Sequence, residues 1–404
     1  MSIYLDYNAN APLCQQAIEA MQDAFQYIGN PSSIHHQGRK IRGMIEKTRQ
    51  QIADDLCISN QHLIFTSGAT ESNNLALCHF PGRVIVSAIE HDSVRLARPD
   101  ALILPVLPEG IINLEALEKI LRQPYEGITL ISVMIANNET GIIQPLEEVL
   151  RLSEQYKAFV HSDGVQGIGR LNFPWQKLDM LSISAHKIGG PAGVGFLMVK
   201  PNIPLKPLNI GGGQERSYRP GTENFIGIVG LGAAFNEGIN QDWSAIKILR
   251  DHMESKLLSY SPTSKIIGQT ANRLPNTTLM ATPHIKSETQ MMKLDLCNVA
   301  VSSGSACSSG KVRTSHVLKA MQIPDVYQSH VIRISIGPKN SPEEIGIFLQ
   351  IWQNILKSLK KEGSEQERSL SQETHQRLTE AKLEEKSHAT KERSRESNPY
   401  VSLI

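Results

Sequence analysis

Leu178-Asp-Met-Leu-Ser-Ile-Ser-Ala-His-Lys187, followed by Ile-Gly-Gly-Pro-Ala-Gly-Val-Gly195 and Phe-Leu-Met-Val199, holds the pattern from which the rest of the chain is read. Two apolar runs, Leu178–Ser182 and Val194–Val199, flank a stretch that delivers one lysine, Lys187, into a glycine-rich segment. Runs that are apolar on both faces suit strands covered by helices on both sides, hence a mostly parallel sheet. The same texture recurs at Leu63–Thr66, Val84–Ala88, Leu102–Leu107, Ile128–Met134 and Ala158–His161. Helical patterns lie between them. Asn113 is placed to cap a helix with Leu114, Leu117 and Leu121 on one face. Pro145 stands at an expected first helical position, ahead of Leu146, Val149, Leu150 and Tyr156. Strand and helix alternate, so residues 14–245 read as a large α/β domain.

After Trp243 the texture changes. A long helical pattern, Ile246–Tyr260, leads to strand-like Thr277–Met280, Val299–Ser302 and Val331–Ile336, then to a last helix, Pro342–Leu359. Residues 246–360 therefore read as a smaller α+β domain, with residues 1–13 as an N-terminal arm joined to it. From about Lys360 onward, charged and small polar residues dominate, which predicts a disordered or loosely helical tail over 361–404.

Bulk properties narrow the function. The 404 residues carry 41 Lys plus Arg against 40 Asp plus Glu, so no global field favours nucleic acid or an anionic membrane. No apolar run approaches the roughly 18–20 residues of a membrane-spanning helix. The N-terminus shows no signal-peptide pattern. The five cysteines (Cys14, Cys57, Cys78, Cys297 and Cys307) form no CxxC pair, which argues against a disulfide framework or zinc site and for a reducing cytoplasm. Cys57, Cys78 and Cys297 have apolar surroundings and read as small core residues.

Five motifs can carry chemistry. Lys187 sits at a strand end, where desolvation favours the neutral amine that Schiff-base chemistry needs; a plain surface lysine is the alternative. Thr66-Ser-Gly-Ala-Thr-Glu71 joins a strand to a helical pattern (Glu71–Leu77), as an anion cradle or a plain capping turn. His161-Ser-Asp-Gly-Val-Gln166 offers Asp163 to a protonated pyridine nitrogen, or Asp163 with His161 to a metal; no further ligands complete a metal set. Asn137-Asn-Glu-Thr-Gly141 places amides at a strand's carboxyl end, where open α/β sheets bind ligands, or else forms a turn. Ser302-Ser-Gly-Ser-Ala-Cys307-Ser-Ser-Gly310 surrounds a cysteine with small polar residues, which suits a reacting thiol better than a packed one.

Together these motifs resemble the class V aminotransferase family, specifically the cysteine desulfurases of the nitrogenase and iron–sulfur-cluster type. Tyr4-Leu-Asp-Tyr-Asn8, Gly29-Asn-Pro-Ser-Ser33, Ile89-Glu-His91 and Val331-Ile-Arg-Ile-Ser335 extend the resemblance over nearly the whole chain before the tail. It implies the pyridoxal-phosphate fold of type I, with a seven-stranded sheet, and an enzyme that takes sulfur from L-cysteine and releases L-alanine. By the resemblance, Lys187 carries pyridoxal phosphate as a Schiff base and moves the substrate's α-proton. Asp163 pairs with the ring nitrogen, and His91 stacks on the ring and exchanges protons. Asn138 and Gln166 donate to the ring oxygen, while Ala69, Thr70, Ser184 and His186 hold the phosphate. Thr222 reaches the phosphate of a neighbouring subunit, which implies a homodimer. Arg333, with Asn138, binds the substrate carboxylate, and Cys307 takes the sulfur as a persulfide for a protein acceptor. Ala192 stands where many relatives have lysine, and the tail lacks the aromatic motif of housekeeping members, so the acceptor is not named. A selenocysteine lyase, another class V enzyme and a non-catalytic sulfur-trafficking scaffold are the rival readings.

Overall fold

Successive side chains of a strand point to opposite faces, and in the main strands of this chain both faces are apolar. The computed structural model describes residues 2–304 and 315–359, so the expectations for Cys307 and for the tail lie outside the described residues. Strand β1 (Ile3–Tyr4) comes first. The central sheet is built from β2 (Leu63–Thr66), β3 (Arg83–Ser87), β4 (Leu102–Leu104), β5 (Thr129–Ser132), β6 (Phe159–Asp163), β7 (Met180–Ser184) and β8 (Gly195–Val199). Then follow β9 (Lys265–Ile266), β10 (Thr277–Ala281), β11 (Val299–Ala300) and β12 (Val331–Ser335).

The seven strands lie in the order β2-β8-β7-β6-β5-β3-β4. Neighbours from β7 to β4 are parallel, and β8 runs against both β2 and β7. The expected α/β fold with a mostly parallel seven-stranded sheet is the one the chain adopts. Its alternation is legible in the packing. Phe65, Ile85, Ile131, Leu181 and Phe196 enter one core, while Ile64, Val84, Leu130, Met180 and Leu197 enter a second. On the first side, helix Phe225–Ile239 packs against helices Gln15–Ala24 and His36–Asp55.

The described residues up to Leu349 form one compact body. Within it, β12-β10-β9 make a separate three-stranded antiparallel sheet in which Leu279 faces Arg333 in register. The N-terminal residues are sewn to the later strands: β1 pairs parallel with β11, and Tyr7 N donates to Ser335 O at 3.1 Å. Residues 342–359 are helical.

Some local expectations are corrected. Pro145 is the N-cap of helix Leu146–Tyr156 rather than its first residue. β4 ends at Leu104 rather than Leu107: Pro105 has no N–H for the ladder, and Val106 instead bridges to Ile112. Cys57 and Cys297 are exposed. Each follows a helix end, Cys57 at φ 56° past helix His36–Asp55 and Cys297 just past helix Ser287–Asp295.

The close approach of β8 to the turn after β2 requires glycine. A Cβ at Gly195 would lie 2.3 Å from Ile183 O and 2.8 Å from Gly68 Cα. Gly195→Ala should therefore cost about 1–3 kcal/mol in urea unfolding, as overpacking against backbone does. A wild-type unfolding midpoint would show that this approach is looser than described.

Candidate active site

Parallel strands end at one edge of the sheet, and the turns that follow them build a cavity of about 550 Å³, a size that suits a small ligand. The turn Ala185–Lys187 after β7 brings Lys187 to it. Lys187 Nζ donates to Asn8 O and Ala9 O, 2.7 Å each. The buried Asp163 ends β6. Its Oδ1 accepts from Val165 N at 3.0 Å and its Oδ2 from Asn73 Nδ2 at 2.8 Å.

Asn73 continues a chain of hydrogen bonds. Its Nδ2 also donates to Ser93 Oγ at 2.9 Å, and Ser93 Oγ lies 2.8 Å from His91 Nδ1. Ser93 N donates to the same ring nitrogen at 3.1 Å. Nδ1 is therefore an acceptor, which puts the proton of a neutral His91 on Nε2. Asp163 and His91, on different strand ends, are thus oriented by one network.

Helix Ala69–Leu77 starts at the cavity, with Gly68 as an N-cap that has no side-chain hydrogen bond. Gly68, Ala69 and Thr70 line the cavity. An uncapped helix N-terminus offers N–H groups and the positive end of the dipole to an anion. Beside it, Ser184 Oγ and His186 Nδ1 are 2.9 Å apart, and burial, then the Lys187 charge, pushes His186 down to about 4. His186 is neutral at neutral pH.

Arg333 comes from β12 in the second sheet. Its Nη2 donates to Asp6 Oδ1 at 2.6 Å and its Nη1 to Asn138 O at 3.0 Å. Its Nε is buried and has no hydrogen-bond partner among the described residues. A buried donor left so is costly. Gln166 Nε2 donates to Asn8 O at 3.1 Å, while Arg170 Nη1 donates to Gln166 Oε1. An anion cradle, a buried carboxylate and an amine in one cavity fit a phosphorylated, carbonyl-bearing pyridine.

Residues 3–348 match the model of the family described as aminotransferase class-V. The chain belongs to the class-V aminotransferase family. Within it, the chain is 36% identical over 380 residues to the cysteine desulfurase IscS of Dictyoglomus turgidum, covering 89% of this chain and 95% of that protein. A NifS-like protein from Rickettsia africae superposes with a TM-score of 0.82 at 36% identity, covering 88% of this chain and all of that one. SspA in complex with cysteine superposes with a TM-score of 0.73 at 29% identity, covering 84% of this chain and all of that one.

Of the residues expected from the family resemblance, Ala69, Thr70, His91, Asn138, Asp163, Gln166, Ser184, His186, Lys187 and Arg333 all line the one cavity. Thr222 is exposed and is not among the lining residues. Asp6, Asn8, Asn73, Ser93 and Arg170 were not anticipated as site residues. The pair Asn73-Asn74 inside a helix was the one available signal for Asn73, since asparagine is a poor helix former.

His161, once weighed as a metal ligand with Asp163, is used otherwise. Its Nδ1 lies 2.8 Å from Ser132 Oγ and its Nε2 3.0 Å from Ser182 Oγ. Burial pushes it from an ordinary 6.5 down to about 3. Between those values the unfolded chain binds a proton at His161 that the folded chain does not, so stability falls as the pH falls. One such site contributes a slope of up to about 1.4 kcal/mol per pH unit. His161→Asn should flatten the decline in urea-unfolding free energy between pH 6 and about 4 by roughly one proton's slope. An acid limb as steep as the wild type's would show that His161 does not carry it.

Proposed function

We propose that this chain is a pyridoxal-phosphate-dependent cysteine desulfurase that moves the sulfur of L-cysteine to Cys307 and releases L-alanine. The observation that carries this reading is the convergence of Lys187, Asp163 and Arg333 on one cavity that also opens onto a helix N-terminus. Pyridoxal phosphate, when bound, supplies an electron sink for the substrate's α-carbon.

The chain's own groups do the rest. Ala69, Thr70, Ser184 and His186 hold the phosphate, with neutral His186 accepting or donating a hydrogen bond without adding charge. Asp163, fixed by Asn73 and Val165, keeps a proton on the ring nitrogen. His91, with Nε2 protonated, covers the ring, and the Asn138 and Gln166 amides serve the ring oxygen. Lys187 Nζ holds the cofactor covalently and takes the α-proton. Arg333, with Asn138, binds the substrate carboxylate, a bidentate task suited to a guanidinium. The thiolate of Cys307 attacks the substrate sulfur; the S–S bond forms as the substrate's Cβ–S bond breaks. The electron pair stays with the three-carbon skeleton, which takes up a proton to become alanine, and the persulfide is passed to a protein acceptor. Thr222 contacts the phosphate of a second copy in a homodimer, in keeping with its exposure. Among the described residues no helix is long and apolar enough to cross a membrane.

Two variants test the reading. Lys187→Ala should show no borohydride-reducible cofactor and make no alanine. Cys307→Ser should stay yellow and keep the first spectral change on adding cysteine, while alanine release falls to near zero. Alanine formation by Cys307→Ser at the wild-type rate, with added sulfur found by mass spectrometry on another cysteine, would overturn the role of Cys307.

A further inference from the structure

Arg170 is 8% exposed and stands four residues after Gln166. The chain between them turns helically, with Ile168 N donating to Gly164 O and Arg170 N to Gly167 O, 2.9 Å each. Residues four apart on such a turn are neighbours. Arg170 Nη1 donates to both oxygens of Gln166, to the side-chain Oε1 and to the main-chain O at 3.2 Å. Its Nη2 donates to Lys187 O at 3.3 Å. One buried side chain thus holds the turn after β6 and the turn that brings the amine.

All three acceptors are neutral. Arg170 makes no ion pair among the described residues, and the Arg333 charge opposes its own. Burial, then that charge, pushes Arg170 down to about 10, so it stays charged at neutral pH. Its guanidinium carbon lies 5.5 Å from the centroid of the Trp243 ring. A buried charge without an opposite partner is costly, and tying down carbonyls needs only a neutral donor.

The charge has an outlet at Gln166. Gln166 Nε2 donates to Asn8 O at 3.1 Å, the carbonyl that also accepts from Lys187 Nζ at 2.7 Å. With the amide turned over, Oε1 would face Asn8 O and Nε2 would face Arg170, acceptor against acceptor and donor against donor. Arg170 and Asn8 together admit one orientation, with the amide nitrogen on the side of Lys187. Asn8 takes one of its two hydrogens and leaves the other for the cavity that Gln166 lines. A cation bonded to the amide oxygen also polarises the group and makes that remaining N–H a stronger donor.

We propose that Arg170 is a positioning residue that fixes the Gln166 amide with its nitrogen toward Lys187 and strengthens it as a donor to the ring oxygen of the cofactor. This rests on the reading of the cavity as a pyridoxal-phosphate site. Arg170 is not among the residues that line the cavity; it acts through Gln166.

The test follows the absorbance of the full-length, pyridoxal-phosphate-loaded enzyme as the pH is raised without substrate. A donor to the ring oxygen favours the deprotonated form of the bound cofactor, so losing that donor raises the midpoint. Arg170→Met should raise it by about one pH unit, a tenfold change in the proton equilibrium. Gln166→Met should raise it similarly, and the double variant little further, as for residues acting through one contact. Arg170→Lys, which keeps a charged donor, should return most of the shift. Glu71, His91, Asp163, His186, Lys187 and Arg333, the other titratable groups on the cavity, are the same in every variant. If Arg170→Met does not accumulate as loaded protein, Arg170→Gln, which lacks the charge, carries the comparison. A wild-type midpoint in the Arg170 variant, with a borohydride-reducible cofactor present, would overturn this inference alone. So would additive shifts in the double variant, or weaker loading with an unmoved midpoint in the loaded fraction, which is what a merely structural role gives. A wild-type enzyme with no borohydride-reducible cofactor after loading would overturn the underlying reading and the inference with it.

Discussion

In the central sheet β8 alone runs against the other six strands, and the site depends on that arrangement. Strands that point the same way finish at the same edge, so the turns after β2, β3, β5, β6 and β7 are neighbours although they come from distant parts of the chain. From those turns come, in order, the helix start at Ala69, His91, Asn138, Asp163 and Lys187. Each group inherits its position from a strand buried on both faces, which is the stiffest support this fold offers. The reversed β8 contributes differently. Its first residue, Gly195, lies at that edge and lets the turn at Gly68 approach closely.

The second sheet reaches the cavity through Arg333, and the N-terminal residues bind the two regions together. Asn8 is the main link. Its main-chain N donates to Ser335 Oγ at 3.0 Å, and its Nδ2 to Thr277 Oγ1 at 2.9 Å. Its main-chain O accepts from both Lys187 and Gln166. Asp6, two residues earlier, holds Arg333. A short run of chain at the N-terminus thus fixes the amine of one sheet against the guanidinium of the other.

The sheet was legible in the sequence because its strands are apolar on both faces, and the cavity residues were legible because their motifs stand at strand ends. Strand limits came out within a few residues, and β4 was overrun because the apolar run continues past Pro105, where the ladder stops, to Val106 and Leu107. The exposed Cys57 and Cys297 were misread for a related reason: apolar neighbours in sequence do not stay neighbours once a helix has ended. Asn73 and Ser93 escaped notice because their role is to orient Asp163 and His91, and the residues that orient others carry no motif of their own. Asp6 and Asn8 lie in a quoted motif, yet their partners are over a hundred residues away, and no local pattern announces such a contact.

Two buried polar atoms near the cavity show how the fold carries charge there. Arg333 Nε and Glu90 Oε2 both lack hydrogen-bond partners among the described residues, and each such atom costs about 1–3 kcal/mol. Glu90 meets this cost by giving up its charge. Burial, with the nearby Asp163 charge adding to it, pushes Glu90 up to about 8 despite hydrogen bonds from Ser87 and Met134 to its other oxygen. At neutral pH it is a neutral acid. Arg333 cannot follow the same route, because a guanidinium keeps its proton. It retains one carboxylate partner, Asp6, and its Nε stays unpaired among the described residues. The two residues thus carry buried charge differently: Glu90 gives its charge up, while Arg333 keeps its charge against Asp6.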